Sequence, residues 1–279
     1  MNKPESVSKV NSKHKILAIA ILLPITLLLN LIVWDVPPFP VHARNVTNQI
    51  LLVTLSDADI ETLGGWPISR DYFGYMIHAL TQSGAKTIGL DFLFDKSDSL
   101  FQEYDAALAG FIRTSGAVVL PAIIQSDGAA LLPARPFREY AAIGFSNLGE
   151  ESTIHRLPLT AYPGDSIFYS FGFELARHYL GLTEKPDIKP GRIMLKKSDG
   201  KKLDVPIDKK GYFIPDYFGG LDRIHRIGFV ELLKTFQDHP DSLNLKGKLI
   251  LVAPVAQTLP VIKTIPKYGA VPGSLIHLT

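Results

Sequence analysis

A run of 19 residues without a charged side chain, from Ile16 to Trp34, constrains this chain more than any other feature. An α-helix rises about 1.5 Å per residue, so the run would extend roughly 28 Å, close to the thickness of a bilayer's hydrocarbon core. Pro24 and Asn30 interrupt it, but both are tolerated singly in membrane helices. Trp34 lies at its far end, where an amphipathic ring suits the headgroup layer. The run therefore predicts one transmembrane helix.

The charges on either side of this run predict its orientation. Residues 1–15 contain four lysines and one glutamate, so the positive-inside rule makes them a cytoplasmic tail and places the residues after 35 outside. Residues 35–48 contain three prolines and are expected to form an extended linker. A cleaved signal peptide is the alternative, since Val41 and Ala43 are small residues of the kind that precede a cleavage site, although signal peptides have shorter apolar segments. Either interpretation exports the rest of the chain.

Net charge and cysteine content exclude several classes of protein. The formal charge of +2 is accounted for by the N-terminal tail, and the remaining residues sum to about −1. A neutral body does not carry the basic surface of a nucleic-acid-binding protein, so no nucleic acid is expected as a partner. The chain has no cysteine, which rules out disulfides, thiolate metal sites and cysteine nucleophiles.

Hydrophobic patterning after residue 48 predicts a single α/β domain over residues 49–279. Uniformly apolar runs indicate buried strands, and they alternate with segments in which apolar residues recur at helical spacing. This alternation is typical of a largely parallel or mixed sheet with helices packed on it. The predicted strands are Ile50–Leu55, Thr87–Leu90, Ala117–Ile124, Ile143–Leu148 and Lys248–Ala253. The predicted helices include Asp71–Ser83, Tyr104–Thr114 and Ile167–Leu180, and a hairpin joins Arg192–Lys196 to Lys201–Val205.

Four residues at predicted strand ends, or in the loops that follow, are the candidate ligand-binding residues: Asp57, Trp66, Arg70 and Asp91. Ligands of α/β proteins bind beyond the carboxyl ends of the strands, so these side chains are expected to lie close together. Arg70 is expected to form an ion pair with Asp57 or Asp91, and an anionic ligand is its alternative partner.

The sequence contains no pattern that specifies a reaction. No nucleophile-elbow, phosphate-loop or dinucleotide-binding motif occurs, and the histidines lack zinc-site spacing. We therefore expect no catalytic residue, no metal site and no cofactor. Two alternatives stay open, namely an exported, membrane-tethered hydrolase that uses Asp91 and Asp95, and a non-catalytic envelope protein that binds another protein.

Several motifs in residues 45–279 resemble those of one known family, the CHASE2 domains. The opening motifs are the strand Ile50–Leu55 with Asp57, then Leu63-Gly64, Trp66-Pro67, Arg70, Gly84-Ala85 and Ile88 to Phe94. The later motifs are Gly144-Phe145 with Asn147, then Arg156 to Leu159, Phe171 to Leu180, Leu245 to Val252, Val271-Pro272-Gly273 and Ile276-His277. The combination of Trp-Pro-x-x-Arg with Gly-Ala and Asp-x-Leu-Phe is fairly specific.

This resemblance implies an extracytoplasmic sensor domain of a bacterial transmembrane receptor. Such receptors have one N-terminal membrane helix, this domain, usually three further membrane helices, and a cytoplasmic cyclase or kinase output module. By this resemblance the chain is a single-pass protein of the bacterial inner membrane, anchored through Ile16–Trp34, that recognises an unknown extracytoplasmic ligand. The chain stops at Thr279 without an output module, so we expect a truncated receptor, or a sensor that acts through a receptor dimer or a partner protein.

Overall fold

The structure, a computed structural model, describes residues 48–98, 101–149, 151–197, 199–259 and 262–279. The predicted cytoplasmic tail, membrane helix and nearly all of the predicted linker lie outside these residues. Within the described part of the chain, no helix is both long enough and apolar enough to cross a bilayer.

Helices and strands alternate along much of the described chain. The α-helices, α1 to α7, are Asp57–Thr62, Arg70–Gln82, Gln102–Ser115, Arg135–Arg138, Phe171–Leu180, Phe229–Asp238 and Gly273–Ile276. Strands β1 to β8 are Ile50–Leu55, Thr87–Leu90, Val118–Ile124, Ala130–Leu131, Ala142–Phe145, Leu157–Pro158, Thr160–Ala161 and Phe168–Tyr169. Strands β9 to β16 are Asp187–Lys189, Arg192–Lys196, Lys202–Pro206, Tyr212–Phe213, Arg226–Gly228, Leu249–Pro254, Ile262–Ile265 and Gly269–Pro272.

The main sheet consists of six parallel strands in the order β13-β1-β14-β2-β3-β5, and β4 pairs antiparallel with the end of β3. The last central strand of the chain, β14, lies between β1 and β2, with Leu52 opposite Leu251 and Ile250 opposite Ile88. The predicted α/β class with a largely parallel, mixed sheet is confirmed.

Alternate residues of the central strands pack into two different cores, one on each face of the sheet. In β1, Val53 and Leu55 belong to the first core, whereas Leu52 belongs to the second. In β14, Ile250 belongs to the first core and Leu251 to the second. Because side chains alternate across a sheet, strands covered on both faces must be apolar at every position, as these are.

Each core is closed by its own helices. The apolar positions of α2 that the sequence predicts, together with those of α3 and α6, fill the first core. Phe171 and Leu175 of α5 and Leu275 and Ile276 of α7 pack in the second. At the N-terminus of α1, Ser56 and Asp59 form a capping box, in which the Asp59 amide donates to Ser56 Oγ at 3.2 Å.

A smaller β region lies outside the main sheet. The predicted hairpin is confirmed as β10–β11, and β9 pairs with its first strand. Ile193 and Leu195 of this hairpin pack with Leu159 and Phe173 in a third core. The predicted helix at Ile167–Leu180 begins later than expected, because residues 168–169 pair with β7.

Candidate ligand-binding site

A cavity of about 330 Å³ lies at the carboxyl edge of the main sheet, and we call it the edge cavity. Its floor consists of residues that end or follow four parallel strands: Asp91 after β2, Ile123 in β3, Ser146 after β5 and Pro254 in β14. The β15 residue Lys263 and the α7 region, with Ser274 and His277, form another part of its wall. This is the edge at which α/β sheets place their ligands.

One asparagine holds two of these strand ends together. The side-chain amide of Asn147 donates to the carbonyl of Ile124 at 2.9 Å, and its Oδ1 accepts from the Ile124 amide at 2.8 Å. The side chain therefore imitates a further β-pair between the ends of β3 and β5. Both polar ends of the amide are used, so Asn147 shapes the cavity wall and keeps little capacity for a ligand.

Three ionisable side chains line the edge cavity: Asp91, Lys263 and His277. Among the described residues, the carboxylate of Asp91 has no hydrogen-bond or ion-pair partner. Lys263 Nζ donates to the carbonyl of Gly149 at 3.1 Å. Burial lowers the pKa of His277, and the negative charge of Asp91 opposes this shift. The imidazole is therefore favoured in its neutral form, while the two other groups carry opposite charges.

The position of His277 depends on a close approach between α5 and the end of α7. Its ring packs edge-on against Phe171, with 5.3 Å between the ring centroids. A Cβ atom added at Gly172 would lie 2.4 Å from the carbonyl oxygen of His277, so only glycine allows the two backbones to come this close. The glycine on α5 thereby fixes one wall of the edge cavity.

A second, more apolar cavity of about 190 Å³ adjoins the first. Asn147, Leu148 and His277 line both cavities, so these three side chains form a shared wall. Leu159, Phe173 and Val205 contribute to the apolar remainder of its lining.

Of the four predicted ligand-binding residues, the structure places only Asp91 in the edge cavity. Asp57 begins α1, where its carboxylate accepts from the Thr258 hydroxyl at 2.6 Å and the Gln257 amide at 2.8 Å. These hydrogen bonds, led by that of the Thr258 hydroxyl, lower the pKa of Asp57. Trp66 is 47% exposed, and its ring centroid lies 6.3 Å from that of Phe92.

The predicted ion pair of Arg70 with Asp57 or Asp91 is wrong. Arg70 instead pairs with Asp105 of α3 and donates to the carbonyl of Lys96. The carboxylate of Asp57 accepts its hydrogen bonds from Gln257 and Thr258, in the turn after β14. Asp91 is separated from Arg70 by the alternation of side chains that continues beyond β2.

This alternation is visible in the four residues after β2. Phe92 and Phe94 belong to the first core, and the Arg70 guanidinium lies 5.8 Å from the Phe94 ring centroid. Asp91 precedes Phe92, and Leu93 lies between the two phenylalanines. Both Asp91 and Leu93 line the edge cavity, on the other face of the sheet. Neighbouring residues of an extended chain point to opposite faces, so Asp91 and Arg70 serve different sides of the sheet.

The sequence-based candidate site did not include Asp105, Lys263 or His277. Asp105 had a detectable signal, because it lies three and seven residues before Leu108 and Ile112, on the buried stripe of α3. A carboxylate on a buried stripe requires a partner. For Lys263 and His277 no local pattern predicts a position at the sheet edge, since the hairpin β15–β16 must first bring them there.

Nothing in the described residues suggests a metal centre, because no three acidic or histidine side chains there lie close enough together to hold an ion. The second carboxylate of the alternative hydrolase, Asp95, does not line the edge cavity with Asp91. The arrangement can therefore bind a small molecule by charge and shape, but it does not present the paired carboxylates of general acid–base chemistry.

The mixed α/β domain has a cavity at the carboxyl edge of its parallel strands, where ligands of α/β proteins commonly bind. The family comparison agrees with this description: a model described as the CHASE2 domain matches residues 16–279. The chain belongs to the CHASE2 family, whose members are extracellular sensor domains of signalling receptors and are not themselves catalytic. No curated protein and no solved structure matches the chain.

Proposed function

We propose that this chain is the membrane-anchored, ligand-recognising part of a bacterial signal-transduction receptor, with its α/β domain on the extracytoplasmic side of the inner membrane. Membership of a sensor family supports the signalling role. The uncharged run Ile16–Trp34, at which the family match begins, supports the anchor. The lysines before this run support an N-terminus in the cytoplasm.

The observation that carries the sensing role is the composition of the edge cavity. Its floor belongs to the rigid parallel sheet, whereas its wall includes the β15 residue Lys263 and the α7 region with Ser274 and His277. A ligand in this cavity would contact the sheet and the C-terminal segment at the same time. Because receptors of the resembling type continue from this segment towards further membrane helices, ligand occupancy would bias the part of the chain that leads to the output.

The membrane arrangement is tested by reporter fusions. A reporter enzyme that is active only outside the cytoplasm should be active when fused after Ala43 and silent when fused after Lys13. The full-length chain should stay in the membrane pellet after a carbonate wash. Release of a shorter soluble form that begins near Arg44 would contradict the anchor and would establish the cleaved-signal alternative.

Ligand recognition is tested by thermal unfolding of the detergent-solubilised full-length chain with a panel of small metabolites. A compound that occupies the edge cavity should raise the melting temperature of the wild type and of Ser97→Phe, which alters an exposed position. It should not stabilise Ser146→Phe, which fills the cavity. If no compound shifts the melting temperature while a co-purifying protein binds stoichiometrically, the envelope interaction protein becomes the better description.

A further inference from the structure

Two opposite charges line the edge cavity without neutralising each other. Asp91 and Lys263 both face this space, yet no ion pair joins their side chains among the described residues. Both residues are partly buried. Neither side chain has an ion-pair partner in the described part of the chain, so each can make a charge-assisted hydrogen bond to a ligand of opposite charge.

The position of Asp91 is set by the sheet and not by its own side chain. Its backbone amide donates to the carbonyl of Val252 at 2.9 Å, which extends the pairing of β2 with β14 by one residue. The carboxylate itself makes no hydrogen bond to a described residue. It therefore offers all of its acceptor capacity to an occupant of the cavity.

Lys263 is held in place by a neutral group. Its ammonium donates to the Gly149 carbonyl at 3.1 Å, beyond the end of β5. One carbonyl uses one of three donors and leaves the positive charge uncompensated. Asp91 and Lys263 line the same cavity of about 330 Å³, so one small molecule in that cavity can contact both.

The remaining lining limits the size and character of a ligand. Leu93, Ile123 and Leu259 supply apolar surface, and Ser146 and Ser274 add neutral hydroxyl groups. A volume of about 330 Å³ lies at the lower end of the range for ligand pockets, which favours a small ligand. With a neutral His277, the charged groups of the cavity sum to zero.

We propose that the edge cavity binds a small zwitterion of the amino-acid class, with its ammonium group at Asp91 and its carboxylate at Lys263. The apolar lining accommodates an aliphatic side chain. A ligand with one charge would leave the other protein charge without a partner. This inference rests on the proposed sensing function and specifies its ligand class.

The test is calorimetric titration of the detergent-solubilised full-length chain with three probes of one shape. Leucine is a zwitterion, leucinamide carries only the positive charge, and N-acetylleucine carries only the negative charge. Leucine should bind, and each derivative should bind at least about tenfold more weakly, because each loses one charge-assisted contact. Glycine and phenylalanine, as smaller and larger zwitterions, should bracket the preferred side-chain size.

Substitutions of Asp91 and Lys263 test which charged group of the ligand each residue contacts. Asp91→Asn and Lys263→Met should each weaken leucine binding by about tenfold or more, whereas Lys234→Met, on the exposed side of α6, should not. The residual binding of leucinamide should respond to Asp91→Asn but not to Lys263→Met. Thermal unfolding of each variant without ligand establishes that it is folded.

The outcomes separate this inference from the function on which it rests. If only leucinamide or only N-acetylleucine binds, and Ser146→Phe abolishes that binding, the zwitterion is wrong and the cavity remains a sensor site. If no zwitterion binds, the inference is also overturned, and the metabolite panel and reporter fusions then decide the proposed function independently.

Discussion

Arg70 at the start of α2 and Asp105 in the first turn of α3 form an ion pair that is largely withdrawn from solvent, with side chains 16% and 8% exposed. The second oxygen of Asp105 accepts from the Asp98 amide at 2.8 Å. The Arg70 guanidinium also lies 5.4 Å from the ring centroid of Phe137 in α4. One pair of side chains thus joins three helices and the segment after β2.

Loss of one member of this pair should be strongly destabilising. In Arg70→Met the carboxylate of Asp105 stays buried without its cation, which typically lowers the free energy of unfolding by about 3–5 kcal/mol. The double variant Arg70→Met/Asp105→Leu removes the stranded charge and should recover part of the loss. Urea denaturation followed by circular dichroism measures all three proteins.

Arg135→Met is the matched control for this prediction. Arg135 pairs with Glu139 at 2.7 Å, but the two side chains are 81% and 43% exposed. Exposed pairs contribute about 0–1 kcal/mol, so this variant should unfold near the wild-type urea concentration. Equal, small effects of Arg70→Met and Arg135→Met would show that the α2–α3 pair is solvated.

Much of the fold was predictable, because buried parallel strands require continuous apolar runs. Ile50–Leu55 and Thr87–Leu90 are strands with the boundaries expected from sequence, and α2 begins one residue earlier than expected. The edge strand β13 was not predictable, since its three residues carry no apolar pattern. It is a strand only because it pairs with β1, with Arg226 opposite Leu52.

The candidate site was predictable only where it depends on a strand end. Asp91 follows a short apolar strand directly, and it lines the edge cavity. The partner of Arg70 was not found because the expectation placed all four side chains together at one edge of the sheet and ignored the alternation of faces after β2. Lys263 and His277 come from a segment that reaches the sheet edge through long-range packing, which no local pattern specifies.

The capping box of α1 contributes to stability through two reciprocal hydrogen bonds. Ser56→Ala leaves the Asp59 amide without its side-chain acceptor, which typically costs about 1 kcal/mol. Ser97→Ala changes an exposed serine and should have little effect. The urea midpoints of unfolding of the two variants provide the comparison. An unchanged midpoint for Ser56→Ala would mean that water replaces the hydrogen bond of the cap.

Two glycine-to-alanine substitutions in helices should have opposite effects. At Gly172 the new methyl group would collide with the His277 carbonyl, and backbone cannot yield as a flexible side chain can, so a loss of about 1–3 kcal/mol is expected. At Gly110 in α3 no atom beyond the neighbouring backbone of the same helix lies within 4 Å of the added Cβ, and alanine should stabilise the helix by about 0.5–1 kcal/mol.

The same pair of variants tests the wall of the edge cavity. Gly172→Ala should displace His277 and weaken any ligand found in the thermal-shift panel, whereas Gly110→Ala should leave its affinity unchanged. If both substitutions raise the melting temperature, the close packing of α5 against the end of α7 is contradicted.

The stability of the domain should respond to the protonation of His178. This histidine, on α5, is half-buried, and its Nδ1 lies 3.2 Å from the hydroxyl of the fully buried Thr87. Burial lowers the pKa of His178 below its usual value of about 6.5, while a hydrogen bond to the Gly116 backbone opposes the shift. The unfolded chain therefore takes up a proton at a higher pH than the folded domain does.

The lower pKa of His178 in the folded domain makes the domain less stable as the pH falls. The contribution of His178 to stability is fully present above about pH 6.5, and it is lost progressively as the pH falls from there towards the lower folded-state pKa. Burial raises the pKa of Glu174 on the same helix, which makes its contribution change in the opposite direction in acid. The pH dependence of the domain's stability therefore contains the opposing contributions of His178 and Glu174. The contribution of His178 is obtained by comparing the wild type with a variant that lacks this histidine.

His178→Gln provides that difference, because glutamine can keep a hydrogen bond to Thr87 but cannot be protonated in this range. Urea denaturation at several pH values between 5 and 8 should show the wild type losing more stability than His178→Gln as the pH falls below about 6.5. His225→Gln, a substitution at an exposed histidine, controls for the loss of a histidine side chain. Parallel profiles for the wild type and His178→Gln would mean that His178 is protonated as readily in the folded domain as in the unfolded chain, and that its contact with Thr87 does not depend on charge.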